Sequence, residues 1–189
     1  MASKAVKMPL GSSRRHPDIL RALAPFSTVL FLDDKVSIDD ELSLQRLLAQ
    51  ASSALPDARS GDEWALLVRA HEGDDDGHRG VEAELRAALA QPRYRRREAE
   101  LRKFIFDEQG HVARGGRLHN TGLLLWNMRS KRARALSEYW YDATLRTSAE
   151  CQITFYYAHD LFRDVVITVP FRQPGVRWQM IDTWGQYRR

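Results

Sequence analysis

The chain of 189 residues has a single cysteine, Cys151. That excludes an internal disulfide and, with it, any small disulfide-stapled scaffold. Long apolar runs are also missing. No stretch approaches the roughly 20 apolar residues that cross a bilayer, and Met1 to Gly11 lack the apolar core of a secretion signal. A cytoplasmic location is the expectation that follows. Charge of one sign is barely in excess, with 29 Lys and Arg against 25 Asp and Glu, a net charge of +4. This suits an anionic ligand such as a nucleoside diphosphate or an acidic glycan, and it makes no demand for nucleic acid. No internal repeat or low-complexity segment is present, and the length fits one domain with one core.

What is present is alternation. Residues 1–15 form a basic lead-in broken by Pro9 and Gly11. Pro17 to Leu23 is expected to form a short helix that Pro25 stops. Ser27 to Leu32 is an apolar, partly β-branched run that predicts a buried strand, ending in Asp33-Asp34-Lys35. Ser37 and Asp40 predict a capping box for a helix over 39–50, with Leu42, Leu44, Leu47 and Leu48 facing inward. A second strand is expected over Trp64 to Val68, ending at Arg69-Ala70-His71, before an acidic, glycine-rich loop. Helices over 79–91 and 94–107, separated near Pro92, should follow. A strand over 119–127, helices over 130–143 and 147–160, and a last strand from Asp164 to Val169 complete the pattern. An irregular tail begins at Pro170. Such alternation predicts an α/β fold, a mostly parallel sheet flanked by helices.

Several motifs recur in one order. Arg15-His16-Pro17 precedes the strand that ends at Asp33. Ala70-His71 closes the next strand, Glu82 and Glu84 follow, and then Phe104 and Glu108-Gln109-Gly110-His111. Leu118 to Leu125 leads to Tyr139-Trp140-Tyr141 and to Ala149-Glu150-Cys151-Gln152-Ile153-Thr154-Phe155. Across about residues 13–170 this series resembles the glycosyltransferase-like family that includes plant proteins affecting mucilage polysaccharides and cell turgor. Its many bacterial members were long catalogued as a domain of unknown function. The resemblance implies a GT-A-like domain over 16–189. Family members usually begin with a further nucleotide-binding portion upstream, so the resemblance implies a fragment, a misassigned start or a diverged member. Two positions depart from the family pattern. Its Asp-Gly-Asn is Asp33-Asp34-Lys35 here, and its Arg-Asp before the glutamine is Glu150-Cys151.

On this reading Asp33 and Asp34, at a strand's carboxyl end, hold a divalent cation, Mn or Mg, with the diphosphate of a nucleoside diphosphate-sugar donor. Lys35 contacts phosphate directly. His71, Asn120, Thr121 and Gly122 bind substrate, Asn120 by offering a donor and an acceptor to sugar hydroxyls. Glu150 and Gln152 are the candidate catalytic pair beside a glycan or other hydroxyl acceptor. The same residues have plainer readings: a strand-to-loop turn, a strand entry and a solvated helix start. A metal loop at His71, His78 and Asp74 to Asp76 is weighed against an exposed acidic loop. Trp140, Phe155 and their tyrosine neighbours suit interhelix packing more than sugar stacking. The arginine clusters at 93–97 and 129–134 read as solvated helix faces rather than a nucleic-acid track. A non-catalytic carbohydrate-binding or interaction module that retains the fold is the alternative to the transferase.

Overall fold

The computed structural model describes residues 22–23, 25–33, 35–53, 64–71, 80–110, 117–147 and 151–178. Within them the order is β1 (Thr28–Leu32), β2 (Val36–Ile38), α1 (Glu41–Ser53), β3 (Leu66–Ala70), α2 (Val81–Leu89), α3 (Pro92–Arg95) and α4 (Glu98–Arg102). A π-helical turn (Lys103–Glu108) extends α4. Then come β4 (His119–Asn127), α5 (Lys131–Thr147), α6 (Cys151–Phe162), β5 (Val166–Val169) and β6 (Val176–Trp178). No helix among the described residues is long and apolar enough to cross a membrane.

The main sheet runs β1-β4-β3-β5. The fold is α/β as expected, but the sheet is mixed rather than mostly parallel. Among the described residues only β3 and β5 pair in parallel, and β4 is antiparallel to both neighbours. Thus β1, β3 and β5 point one way and β4 the other. The cause is the α5–α6 hairpin after β4: a helix out and a helix back deliver the chain to β5 running opposite to β4. An apolar run cannot report this. Every residue of β4 is buried, and a central strand covered on both faces reads alike in either direction.

Helices cover both faces. Leu66, Val68, Leu124 and Trp126 pack against Leu136 and Trp140 of α5 and Phe155 of α6. Leu67, Leu123, Leu125 and Ile167 pack against Leu47 and Ala51 of α1. Each such side chain contributes about 1.5–3 kcal/mol on burial. Helices α2 and α4 add a further core, with Leu85, Leu101 and Phe104 set against Ile153 and Tyr157 of α6. Pro92 takes the first position of α3, where its missing N–H costs nothing.

Helix α1 begins differently from expectation. Its cap is Asp40, whose Oδ1 accepts a hydrogen bond from Ser43 N at 2.7 Å. Ser37 lies instead in β2, paired with Arg177 of β6. The buried positions are Ser43, Leu47 and Ala51, four residues apart, and this leaves Leu42 53% exposed. Gly175, before β6, has φ +75° and approaches α1 so closely that a Cβ there would lie 2.6 Å from Ser43 Cβ. Asp39 N donates to Gly175 O at 2.9 Å and fixes that approach. Gly175→Ala is expected to lower stability by about 1–3 kcal/mol, read as a reduced denaturation midpoint. An unchanged midpoint would mean that β6 is not held against α1.

Candidate functional site

The Asn120-Thr121-Gly122 step makes a wide bulge in the central strand. From Leu66↔Trp126 to Val68↔Leu124 the β3–β4 ladder is regular, and then Arg69 pairs with Asn120 and Ala70 with His119. The β3–β4 register therefore skips Thr121, Gly122 and Leu123. On the other edge Leu123 still pairs with Leu32, and Asp33 N donates to Gly122 O at 2.8 Å. Asn120 Oδ1 accepts from Gly122 N at 3.0 Å, closing the bulge from within. A short amide side chain bonding the backbone two residues on is a local alternative to the ladder. Bulges of this kind re-aim side chains next to active sites. Here the odd number of extra residues reverses the in–out alternation. Leu123 and Leu125 face α1, whereas His119 turns toward α6, edge-on to Phe155 at 5.2 Å.

The first turn of α6 is tied to this bulge. Gln152 Nε2 donates to His119 O at 3.2 Å, and Cys151 Sγ lies 3.5 Å from Thr121 Oγ1. From the opposite side Trp140 Nε1 donates to Cys151 O at 2.9 Å and to Thr154 Oγ1 at 3.1 Å. The expected catalytic residue Gln152 thus uses its amide to hold β4.

At the end of β3, Arg69 is fully buried, its guanidinium 4.5 Å over the ring of Phe171. His71 N donates to Leu118 O at 3.3 Å, and His71 Nε2 stands 4.0 Å from Glu84 Oε2 of α2. His119 Nε2 is 2.9 Å from Thr168 Oγ1, and its ring lies 4.5 Å from that of His159. Burial, and then the neighbouring His159, hold the His119 pKa well below the usual histidine value. Its ring is neutral at ordinary pH.

Of the expected site residues, Asp33, Lys35, His71, Asn120, Thr121, Gly122 and Gln152 all fall at one end of the sheet, where β1, β3 and β5 terminate and β4 begins. Lys35 sits in the turn that Val36 N closes onto Asp33 O at 2.9 Å. Asp34, Glu150, His78 and the aspartates 74–76 lie outside the described residues. Among the described residues no group of three or more His, Cys, Asp or Glu side chains forms a metal cluster.

Sequence reasoning did not place Arg69, His119, His159 or Thr168 in this region. The available signal was weak: a histidine opening an apolar strand, and Phe155 and His159 one helical turn apart. The aromatic residues are packing groups, since Trp140, Tyr141, Phe155 and Tyr157 are buried. Within the arginine clusters, Arg97, Arg132 and Arg134 make exposed ion pairs, with Glu100 at 3.0 Å, Asp164 at 3.0 Å and Glu138 at 3.2 Å. Each contributes little to stability. No family model, curated protein or solved structure matches this chain.

Proposed function

We propose that this chain binds a nucleoside diphosphate-sugar at the end of the sheet and moves the sugar to a hydroxyl of a glycan or similar acceptor. One observation carries the reading. Asp33, His71, Asn120 to Gly122 and Gln152, scattered over more than half the chain, converge around a single bulge. In open α/β sheets, ligands bind outside the carboxyl ends of strands, and here three strands end together. Asp33, with Asp34, would hold Mn or Mg, which supplies neutralisation of the departing diphosphate. Lys35, in the turn next to Asp33, adds a cation for phosphate. Gly122 allows close approach of a ligand to the bulge, and Asn120 and Thr121 border it. Gln152, bonded to His119 O, keeps the start of α6 beside that space.

Calorimetric titration with UDP-glucose, with and without MnCl2, tests the reading. Binding should tighten at least about tenfold with Mn²⁺, a 1.4 kcal/mol effect, and the enhancement should vanish in Asp33→Ala. Equal affinity in all four conditions would contradict the metal–diphosphate role. A second reading, a carbohydrate-binding module without catalysis, draws on two residues. Lys35 stands where an Asp-x-Asp pair would place its second carboxylate, and Cys151, at 3.5 Å from Thr121, stands where the resembled family has aspartate. Glycan binding that no nucleotide alters would favour the module.

A further inference from the structure

The chain's excess of positive charge is concentrated in one stretch. Pro92 to Lys103 carry six cations, Arg93, Arg95, Arg96, Arg97, Arg102 and Lys103, against two acids, Glu98 and Glu100. Outside that stretch the cations and acids of the chain are equal in number. All six cations are exposed. Helix α4 has the character of a solvated face, since Arg102 pairs with Glu98 at 2.6 Å and Arg97, just before it, with Glu100 at 3.0 Å. Those pairs occupy both acids. Among the described residues no carboxylate pairs with Arg93, Arg95 or Arg96. Two of these guanidinium groups are nevertheless held in place. Arg93 Nε donates to Gln91 Oε1 at 3.0 Å, and its guanidinium lies 4.5 Å over the ring of Tyr94. Arg95 Nε donates to Leu89 O at 3.2 Å, at the end of α2. Both acceptors are neutral, so each guanidinium keeps its charge and its outer pair of Nη donors. Groups fixed in this way lose less side-chain freedom on meeting an anion, and their planar donor pairs match phosphate.

We propose that α3 and the turn after it, Arg93 to Arg96, form a surface for the phosphate backbone of a nucleic acid, bound without regard to sequence. Three guanidinium groups fall within four residues, in a helix that rises about 1.5 Å per residue. A duplex offers a comparably dense array, about one negative charge per 1.7 Å of axis. An acidic glycan spaces its charges by whole sugar rings and matches less well. A membrane also fits less well, because interfacial segments seat large apolar side chains in the lipid. In this stretch Tyr94 and Leu101 are buried. No exposed aromatic ring accompanies the arginines, so contact is with phosphate and not through base stacking. The surface uses none of the residues gathered at the bulge, and it stands whether or not the transfer reading does.

The test is fluorescence anisotropy of a labelled DNA duplex of mixed sequence, titrated with the full chain at several NaCl concentrations. Three neutralised phosphates predict a slope of about −2.7 for log Kobs against log[NaCl], an affinity loss of about 40-fold between about 50 and 200 mM. The combined Arg93→Gln, Arg95→Gln and Arg96→Gln variant should flatten that slope by about 2.7 and weaken binding at low salt at least about tenfold. Its affinity for UDP-glucose should equal the parent's. No binding by the parent at low salt, or a slope and affinity that the triple substitution leaves unchanged, would overturn the proposal. Tighter binding of a polyuronate, or of phosphatidylserine vesicles, than of the duplex would also overturn it and assign the surface to a glycan or a membrane. Arg95 also ties down the end of α2, so the triple variant is checked for folding by circular dichroism. Should it not fold, Arg96→Glu replaces it, because that side chain is exposed and reversing its charge disturbs no packing. Duplex affinity unchanged in Arg96→Glu would equally overturn the proposal.

Discussion

Trp140→Ala is expected to lower the unfolding free energy by about 3–5 kcal/mol, a large share of the stability of a domain this size. Trp140 is fully buried, with its ring 4.7 Å from Phe155 and stacked at 6.4 Å on Trp126. Its removal leaves a cavity between α5, α6 and the sheet. The indole N–H also holds Cys151 O and Thr154 Oγ1, and Thr154 Oγ1 lies 2.8 Å from Thr144 Oγ1. Trp140→Phe keeps most of the apolar contact and loses both hydrogen bonds, so about 1–3 kcal/mol is expected for it. Urea denaturation separates the two variants. A Trp140→Phe midpoint equal to the parent's would show that volume alone matters and that the indole does not tie down the start of α6. The functional consequence follows from position, because the first turn of α6 also carries Gln152 and Cys151 to the bulge.

The second large effect is a loss of stability in acid through His119. Its folded-state pKa is depressed, first by burial and then by His159. The unfolded chain therefore binds the proton more readily than the folded one. Above the unfolded histidine pKa of about 6.5 the group makes no pH-dependent contribution. Below it the folded state loses about 1.4 kcal/mol per pH unit, until the lowered folded-state pKa is reached. Denaturant midpoints at pH 7.5, 6.0 and 5.0 should fall steadily in the parent chain and more shallowly in His119→Gln, which cannot take up the proton. Carboxylates that titrate in the same range affect both chains alike. Parallel slopes would show that His119 does not couple proton uptake to unfolding.

The elements were legible in the sequence to the extent that one face was buried at a regular period. His119 to Asn127 reads as a strand from its apolar run alone. In α1 the expected inner face holds at Leu47 but not at Leu42, because the buried row runs Ser43, Leu47 and Ala51. The direction of strands was not legible, because it depends on the α5–α6 hairpin and not on any strand's own residues. The β2–β6 pairing was also hidden. Each strand is only three residues long, and they meet across more than 130 residues of sequence, next to the Asp39 N to Gly175 O bond. At the site, Asn120-Thr121-Gly122 was legible as special, because a short amide before glycine marks backbone that leaves the regular ladder. What it builds was not: a bulge appears only when the partner strand's register is known. The bulge also turns His119 inward against the period-two pattern, so the buried histidine pair could not be read from alternation.

Backbone amide NMR during titration with UDP-glucose and the diamagnetic Mg²⁺ addresses the proposed site most directly. The largest shifts are expected at Asp33, at His71, from Asn120 to Leu123, and at Cys151 and Gln152, all at one end of the sheet. Shifts centred on the arginine-rich α3 and α4, or none at millimolar nucleotide-sugar, would contradict the assignment of that end of the sheet as the binding site.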